Sequence, residues 1–274
     1  MAAPNRLGSV HRGVPGPELW TDDGIPLATR CWLVPDGAEA IVVLVHGFTG
    51  SKDDIGVVSL ASTLYDRGID VIAYDCRGHG QSGGESTLGD LERFDVAAAV
   101  KWAKARNDSV ILVGASMGAV AVLAYAATTA DLSGVVAVSS PSEWRLPLRV
   151  RSVVTAVLAR TRPGRLVVRR RMHVRIGPWT SPESPRALAE RIRCPLVALH
   201  GRSDPIIPAE VGLGSVLQEG PRTSVVFVPK MGHAFDPPGY AQISEAVTWV
   251  LGQGGRARRS PPRPAVVPRS VPAS

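Results

Sequence analysis

Apolar positions along the chain gather in short, unbroken runs with amphipathic stretches between them. Ala40 to Val45, Val71 to Tyr74, Val110 to Val113, Gly134 to Val138, Pro195 to Leu199 and Ser224 to Val228 are such runs, the first of them β-branched at most positions. Runs of that kind read as strands buried on both faces. Pro26 to Val34 alternates apolar and polar residues, as an early strand with one exposed face would. Helical spacing is found from Val57 to Arg67, stopped by Gly68. It recurs from Leu88 to Ala105 through Leu91, Ala98 and Trp102, then over Ala119 to Ala127, Ala209 to Gln218 and Tyr240 to Leu251. Repeated strand–helix units predict the α/β class, with a mostly parallel central β-sheet flanked by helices.

The alternation breaks between Ser140 and Arg193, where a basic, partly helical insert is expected. The chain therefore divides into a flexible lead (1–19), a core (20–140 and 192–252), a basic insert (141–191) and a disordered Arg/Pro-rich tail (253–274). At 274 residues and 45% hydrophobic content, the chain can bury one large core. No apolar run approaches the ~18 residues of a membrane-spanning helix. The N-terminal stretch lacks the apolar region of a signal peptide. Cys31, Cys76 and Cys194 are widely spaced, which is neither a disulfide framework nor a metal pattern. A cytoplasmic location is the expectation.

Charge sharpens this division. The net charge is +7, yet residues 145–175 hold ten arginines and no acid, and residues 253–274 hold five arginines and no acid. The remainder is acidic. A nucleic-acid reading would rest on these two segments alone, and they lack interleaved aromatics apart from Trp144 and Trp179. No specific nucleic-acid partner is expected.

Candidate chemistry sits at the ends of the expected strands, where open parallel sheets place their sites. Gly114-Ala115-Ser116-Met117-Gly118 lies between a strand and a helix, the context in which G-x-S-x-G forms a nucleophile elbow. A serine hydroxyl needs a base to become a nucleophile. His233 follows the last strand and Asp204 an earlier one, giving the order Ser…Asp…His. Asp204 also suits a plain turn before Pro205, and Glu143 is the rival acid. His46 and His79 read as loop-shaping residues, and Gly78 and Gly80 as turn glycines. His11, His173 and His200 form no pattern. Neither a metal nor an organic cofactor is expected.

His46-Gly47-Phe48, the segment from Asp75 to Ser82, the elbow, Gly201 to Asp204 and Gly232-His233 together resemble the α/β-hydrolase fold superfamily. The sequence looks most like its branch of monoacylglycerol lipases, lysophospholipases and related small serine esterases. The resemblance covers about residues 20–252, with Ala119 where that branch usually has another glycine. It implies Ser116 as nucleophile, His233 as base and Asp204 as the acid that orients it. The backbone N–H groups of Phe48 and Met117 would form the oxyanion hole. It also implies that the insert is a short helical cap over the serine.

The implied function is a serine hydrolase that cleaves carboxylic esters, lipid-like monoesters among the candidates, through a Ser-His-Asp triad and an acyl-enzyme. Thioesterase, amidase or peptidase, and cofactor-free perhydrolase are alternatives, since the triad serves them all. A non-catalytic binding protein on the scaffold is a further one. For the basic cap three roles stand open. It can lie peripherally on an anionic membrane, steer anionic acyl substrates, or simply stay solvated.

Overall fold

A computed structural model describes residues 10–144 and 161–259. Within them an eight-stranded sheet runs in the order β1-β4-β6-β5-β7-β8-β9-β10. Its strands are β1 (Val14–Pro15), β4 (Thr29–Trp32), β5 (Ile41–Val45), β6 (Asp70–Tyr74), β7 (Val110–Ala115), β8 (Gly134–Val138), β9 (Leu196–Gly201) and β10 (Thr223–Val228). A separate ribbon pairs β2 (Leu19–Trp20) with β3 (Pro26–Leu27). The pairs β1–β4 and β4–β6 are antiparallel, and every pair from β6 onward is parallel. The expected mostly parallel sheet is thus observed.

Both faces of the sheet are covered, which explains the unbroken apolar runs. Along β5, Ile41, Val43 and Val45 point into one core layer and Val42 and Leu44 into the other. The first layer packs α2 (Glu92–Lys104), α3 (Met117–Ala126) and the short α5 (Pro185–Glu190). The second packs α1 (Ile55–Tyr65) and α6 (Tyr240–Arg259). In the insert, α4 (Arg162–Met172) starts at Thr161, whose side chain accepts the Gly164 N–H. The apolar stretch Val150 to Leu158 lies outside the described residues.

Four expectations need correction. From residue 10 the lead is structured: β1 pairs with β4, and the Trp32 indole donates to the His11 carbonyl at 2.7 Å. The His11 ring also stacks on Tyr65. Composition does not reveal such long-range pairing. Second, the expected helix from Ala209 to Gln218 is only two 3-10 turns, Ala209–Val211 and Leu213–Ser215. The backbone there bonds Ser140 and Ser142 instead: Leu213 N–H donates to Ser140 O, and Val211 O accepts the Ser142 N–H. Third, α2 begins at Glu92 rather than Leu88. The Glu92 carboxylate accepts from Ser86 Oγ, Thr87 N–H and Oγ1, and Gly89 N–H, closing those residues into a turn. Fourth, the last helix continues to Arg259, beyond the expected end near Leu251.

No described helix is long and apolar enough to cross a membrane.

Candidate active site

Ser116 stands between β7 and α3 with φ 54 and ψ −113. L-residues avoid that region, so the surrounding structure must impose it. It does so by tight packing behind the serine. A Cβ on Gly118 would lie 2.5 Å from the carbonyl oxygens of both Val45 and His46. Only glycine lets α3 come so near the end of β5. The Ser116 N–H is held by Val138 O at 2.9 Å. The turn therefore presents the hydroxyl at the carboxyl ends of β5, β7 and β8. The N-terminus of α3 begins at Met117 and brings its dipole to the same place.

Asp204 and His233 come from neighbouring strand ends and meet there. His233 Nδ1 lies 2.7 Å from Asp204 Oδ2. With Nδ1 donating, Nε2 keeps its lone pair and can act as a base. The other carboxylate oxygen, Oδ1, accepts the N–H groups of Ile206 at 2.8 Å and Ile207 at 2.9 Å. Burial alone would raise the Asp204 pKa. Hydrogen bonds from His200, His233 and the Ile207 N–H outweigh it and hold the carboxyl well below the usual carboxylate range. The charge therefore survives beside the half-buried imidazole of His233. Glu143, the rival acid, is exposed. The loop after His233 is pinned to β8 as well, since Ala234 N–H donates to Ser139 Oγ at 3.1 Å.

Ser116 and Ala234, the residue after His233, are thus tied to consecutive residues, Val138 and Ser139. Among the described residues, no hydrogen bond joins the Ser116 hydroxyl to the His233 ring. Such contacts commonly tighten only when substrate binds.

His46-Gly47-Phe48 lies directly beside the elbow. A Cβ on Gly47 would be 3.3 Å from both Ser116 Cβ and Ala115 O. Two buried histidines set this loop. His46 Nε2 accepts the Cys76 N–H at 3.0 Å, leaving Nδ1 to donate to Gly47 O at 2.7 Å. His79 Nε2 accepts the Thr49 N–H at 3.3 Å, and its Nδ1 donates to Arg77 O at 3.0 Å. Each ring must be neutral to fill both roles. Burial first, and the neighbouring His79 second, push His46 down to about 4. Burial likewise lowers His79. Both rings shape loops, as the sequence implied.

Four further residues matter that the sequence did not single out. His200 Nε2 is 2.8 Å from Ile207 O and 3.4 Å from Asp204 Oδ2. Lys52 is buried and braces the same loop as His79: its N–H and Nζ meet the two oxygens of Asp75 at 2.9 and 3.0 Å. Glu92 shapes the turn at Leu88. Arg175 ties the insert to the core. Its backbone exchanges hydrogen bonds with Gly78 and Ser86, and its guanidinium reaches Gly84 O and Ser82 O. That strap brings Ile176 into a small cluster with Val168 and Val174, packed on Phe48 and Leu88. His200 lies four residues before Asp204 in the sequence. Glu92 acts on the turn just before it, whereas Lys52 and Arg175 act across long sequence separations.

Among the described residues, no group of three or more His, Cys, Asp or Glu side chains is arranged to hold a metal ion.

A family model described as "Serine aminopeptidase, S33" matches residues 36–186. Among solved structures, the chain is similar to an esterase of Pyrococcus furiosus. That match has 22% identity and a TM-score of 0.62, and covers 94% of this chain and 99% of the other. It is similar to the esterase Est1E of Butyrivibrio proteoclasticus, whose structure holds ferulic acid. There the identity is 19% and the TM-score 0.59, covering 86% of this chain and 99% of that one. It also resembles a Xanthomonas campestris α/β serine hydrolase described as lacking a lid. The identity is 20% and the TM-score 0.58, over 93% and 100% of the two chains. Among curated proteins no match is found.

Proposed function

We propose that this chain, which belongs to the serine aminopeptidase S33 family of α/β hydrolases, cleaves carboxylic esters through Ser116, His233 and Asp204. The observation that carries the proposal is the 2.7 Å contact between His233 Nδ1 and Asp204 Oδ2, at the sheet end where Ser116 is held in the elbow conformation. Similar folds among esterases support the ester as the bond attacked.

In this reading His233 Nε2 takes the Ser116 proton as Oγ attacks the ester carbonyl. The resulting imidazolium faces the ionised Asp204, which orients and stabilises it. Negative charge develops on the former carbonyl oxygen. The N–H groups of Phe48 and Met117 are the donors for it, and one such donor is worth about 3–4 kcal/mol of barrier. Collapse expels the alcohol, which takes its proton from His233 and leaves an acyl-Ser116. Water then attacks with His233 as base, releasing the acid and restoring the serine.

Labelling with a fluorophosphonate probe tests the nucleophile, with wild type beside Ser116→Ala. Hydrolysis of acetyl, butyryl, octanoyl and dodecanoyl p-nitrophenyl esters then defines the acyl preference. Folded wild-type protein that takes no label, and turns over none of the esters, would overturn the proposal.

The description of the matching family favours a second reading, removal of an N-terminal residue by the same acyl transfer. Aminoacyl p-nitroanilides cleaved faster than the esters would establish it.

A further inference from the structure

From the placement of α4 we infer that this helix is a docking surface for an anionic lipid bilayer. Leu166 is 47% exposed, Val167 50% and Met172 47%. Half-exposed aliphatic side chains are ordinary when scattered singly. Here they are grouped on one short helix and set among arginines. Arg169 and Arg170 lie one turn beyond Leu166, at i+3 and i+4, and Arg170 and Arg171 lie one turn beyond Val167. All three arginines are exposed. Among the described residues no acidic side chain pairs with them, and the chain has no acid between Glu143 and Glu183.

The other side of the helix is fixed. Val168 is buried with Val174 and Ile176 against Phe48 and Leu88. The strap through Arg175 anchors that cluster to the core. The helix cannot turn its aliphatic residues inward without unpacking Val168. Its outer face therefore offers guanidinium groups around projecting aliphatic side chains. Anionic headgroups pair with the first, and the acyl boundary takes up the second. A nucleic-acid backbone would pair with the arginines but leave Leu166 and Val167 without a partner. The bilayer is the occupant that uses both.

Docking in this way sets the cluster that contains Phe48 directly beneath the membrane-facing helix. Relevance to lipid-like esters rests on the proposed hydrolase reading, whereas docking itself does not.

The test is co-sedimentation of the full chain with phosphatidylcholine vesicles, with and without phosphatidylglycerol. Wild type should bind the mixed vesicles and not the pure phosphatidylcholine ones. The triple variant Arg169→Gln/Arg170→Gln/Arg171→Gln should bind them roughly a hundredfold more weakly. Leu166→Ser/Val167→Ser should bind more weakly too, and its residual binding should be abolished by salt that wild type withstands. Fluorophosphonate labelling of both variants at the wild-type level shows that they are folded, and a failure of labelling in wild type would count against the hydrolase reading alone. The inference is overturned if the triple variant binds as tightly as wild type, which would assign the binding to another basic segment. Absence of wild-type binding overturns it as well. So does binding of duplex DNA in place of vesicles, lost in the triple variant but indifferent to Leu166→Ser/Val167→Ser.

Discussion

His200 Nε2 stands 3.4 Å from Asp204 Oδ2, the oxygen that His233 Nδ1 meets at 2.7 Å. The same His200 nitrogen is 2.8 Å from Ile207 O. One buried imidazole therefore closes the Asp204–Ile207 turn and steadies the carboxylate that faces His233. His200→Ala leaves the Ile207 carbonyl without this partner and should cost about 1–3 kcal/mol of stability. Its kcat should fall while KM stays near the wild-type value, because this ring is buried behind Asp204 and acts through it. Asp204→Asn should be far more severe, with kcat down by roughly 10⁴. Steady-state kinetics on a p-nitrophenyl ester would separate the two. Full activity in Asp204→Asn would move the acid role elsewhere.

Ser116 sits at φ 54 and ψ −113, a conformation that costs on the order of 1–3 kcal/mol for a residue with a Cβ. Ser116→Ala keeps that strain and should lose all turnover with little change in Tm. Ser116→Gly removes it at an entropic cost of roughly 0.5–1 kcal/mol. The glycine variant should therefore be as stable as the alanine variant or more so, despite being equally inactive. Thermal melts of the pair give the answer, and a markedly lower Tm for glycine would argue against strain at the elbow.

Protonation of His46 should destabilise the fold. Free imidazole takes a proton at 6.5, whereas His46 holds out to about 4. Between those values the unfolded chain binds more protons than the folded one, so stability falls as pH falls. A protonated Nε2 could no longer accept the Cys76 N–H. His46→Gln keeps an acceptor there and does not titrate. Its denaturation midpoint should depend less on pH between 6.5 and 4 than that of wild type. Identical slopes would show that His46 does not carry this linkage.

Gly78 combines φ +77 with close packing: an added Cβ would lie 2.4 Å from Arg175 O and 2.6 Å from Ser86 N. Those atoms belong to the strap that holds the insert down. Gly78→Ala should therefore loosen the insert and destabilise the chain by about 1–3 kcal/mol. Limited proteolysis should show faster cleavage within residues 161–180. Cleavage at the wild-type rate would mean that the strap has moved without detaching.

Local chemistry made much of this protein legible in its sequence. Strands buried on both faces must be apolar at every position, so β5, β7, β8 and β9 stood out as unbroken runs. The elbow needs glycine at Gly114 and Gly118 next to Ser116, and parallel strands put reactive loops at one sheet end. These requirements fall on adjacent residues. What remained hidden depends on atoms far apart in sequence. The pairing of β1 with β4, the docking of Arg175 on residues 78–86, and the buried Lys52–Asp75 pair leave no periodic trace. The segment after Pro208 had helical spacing, but hydrogen bonds to Ser140 and Ser142 reduced it to short turns. His200 forms no pattern in the sequence, and only β9 and the turn after it set its ring beside Asp204. The sequence determined which residues could do chemistry and in which order they lie. Only the tertiary structure decided which partners hold them in place, because burial and long-range hydrogen bonds act between segments that no local pattern connects.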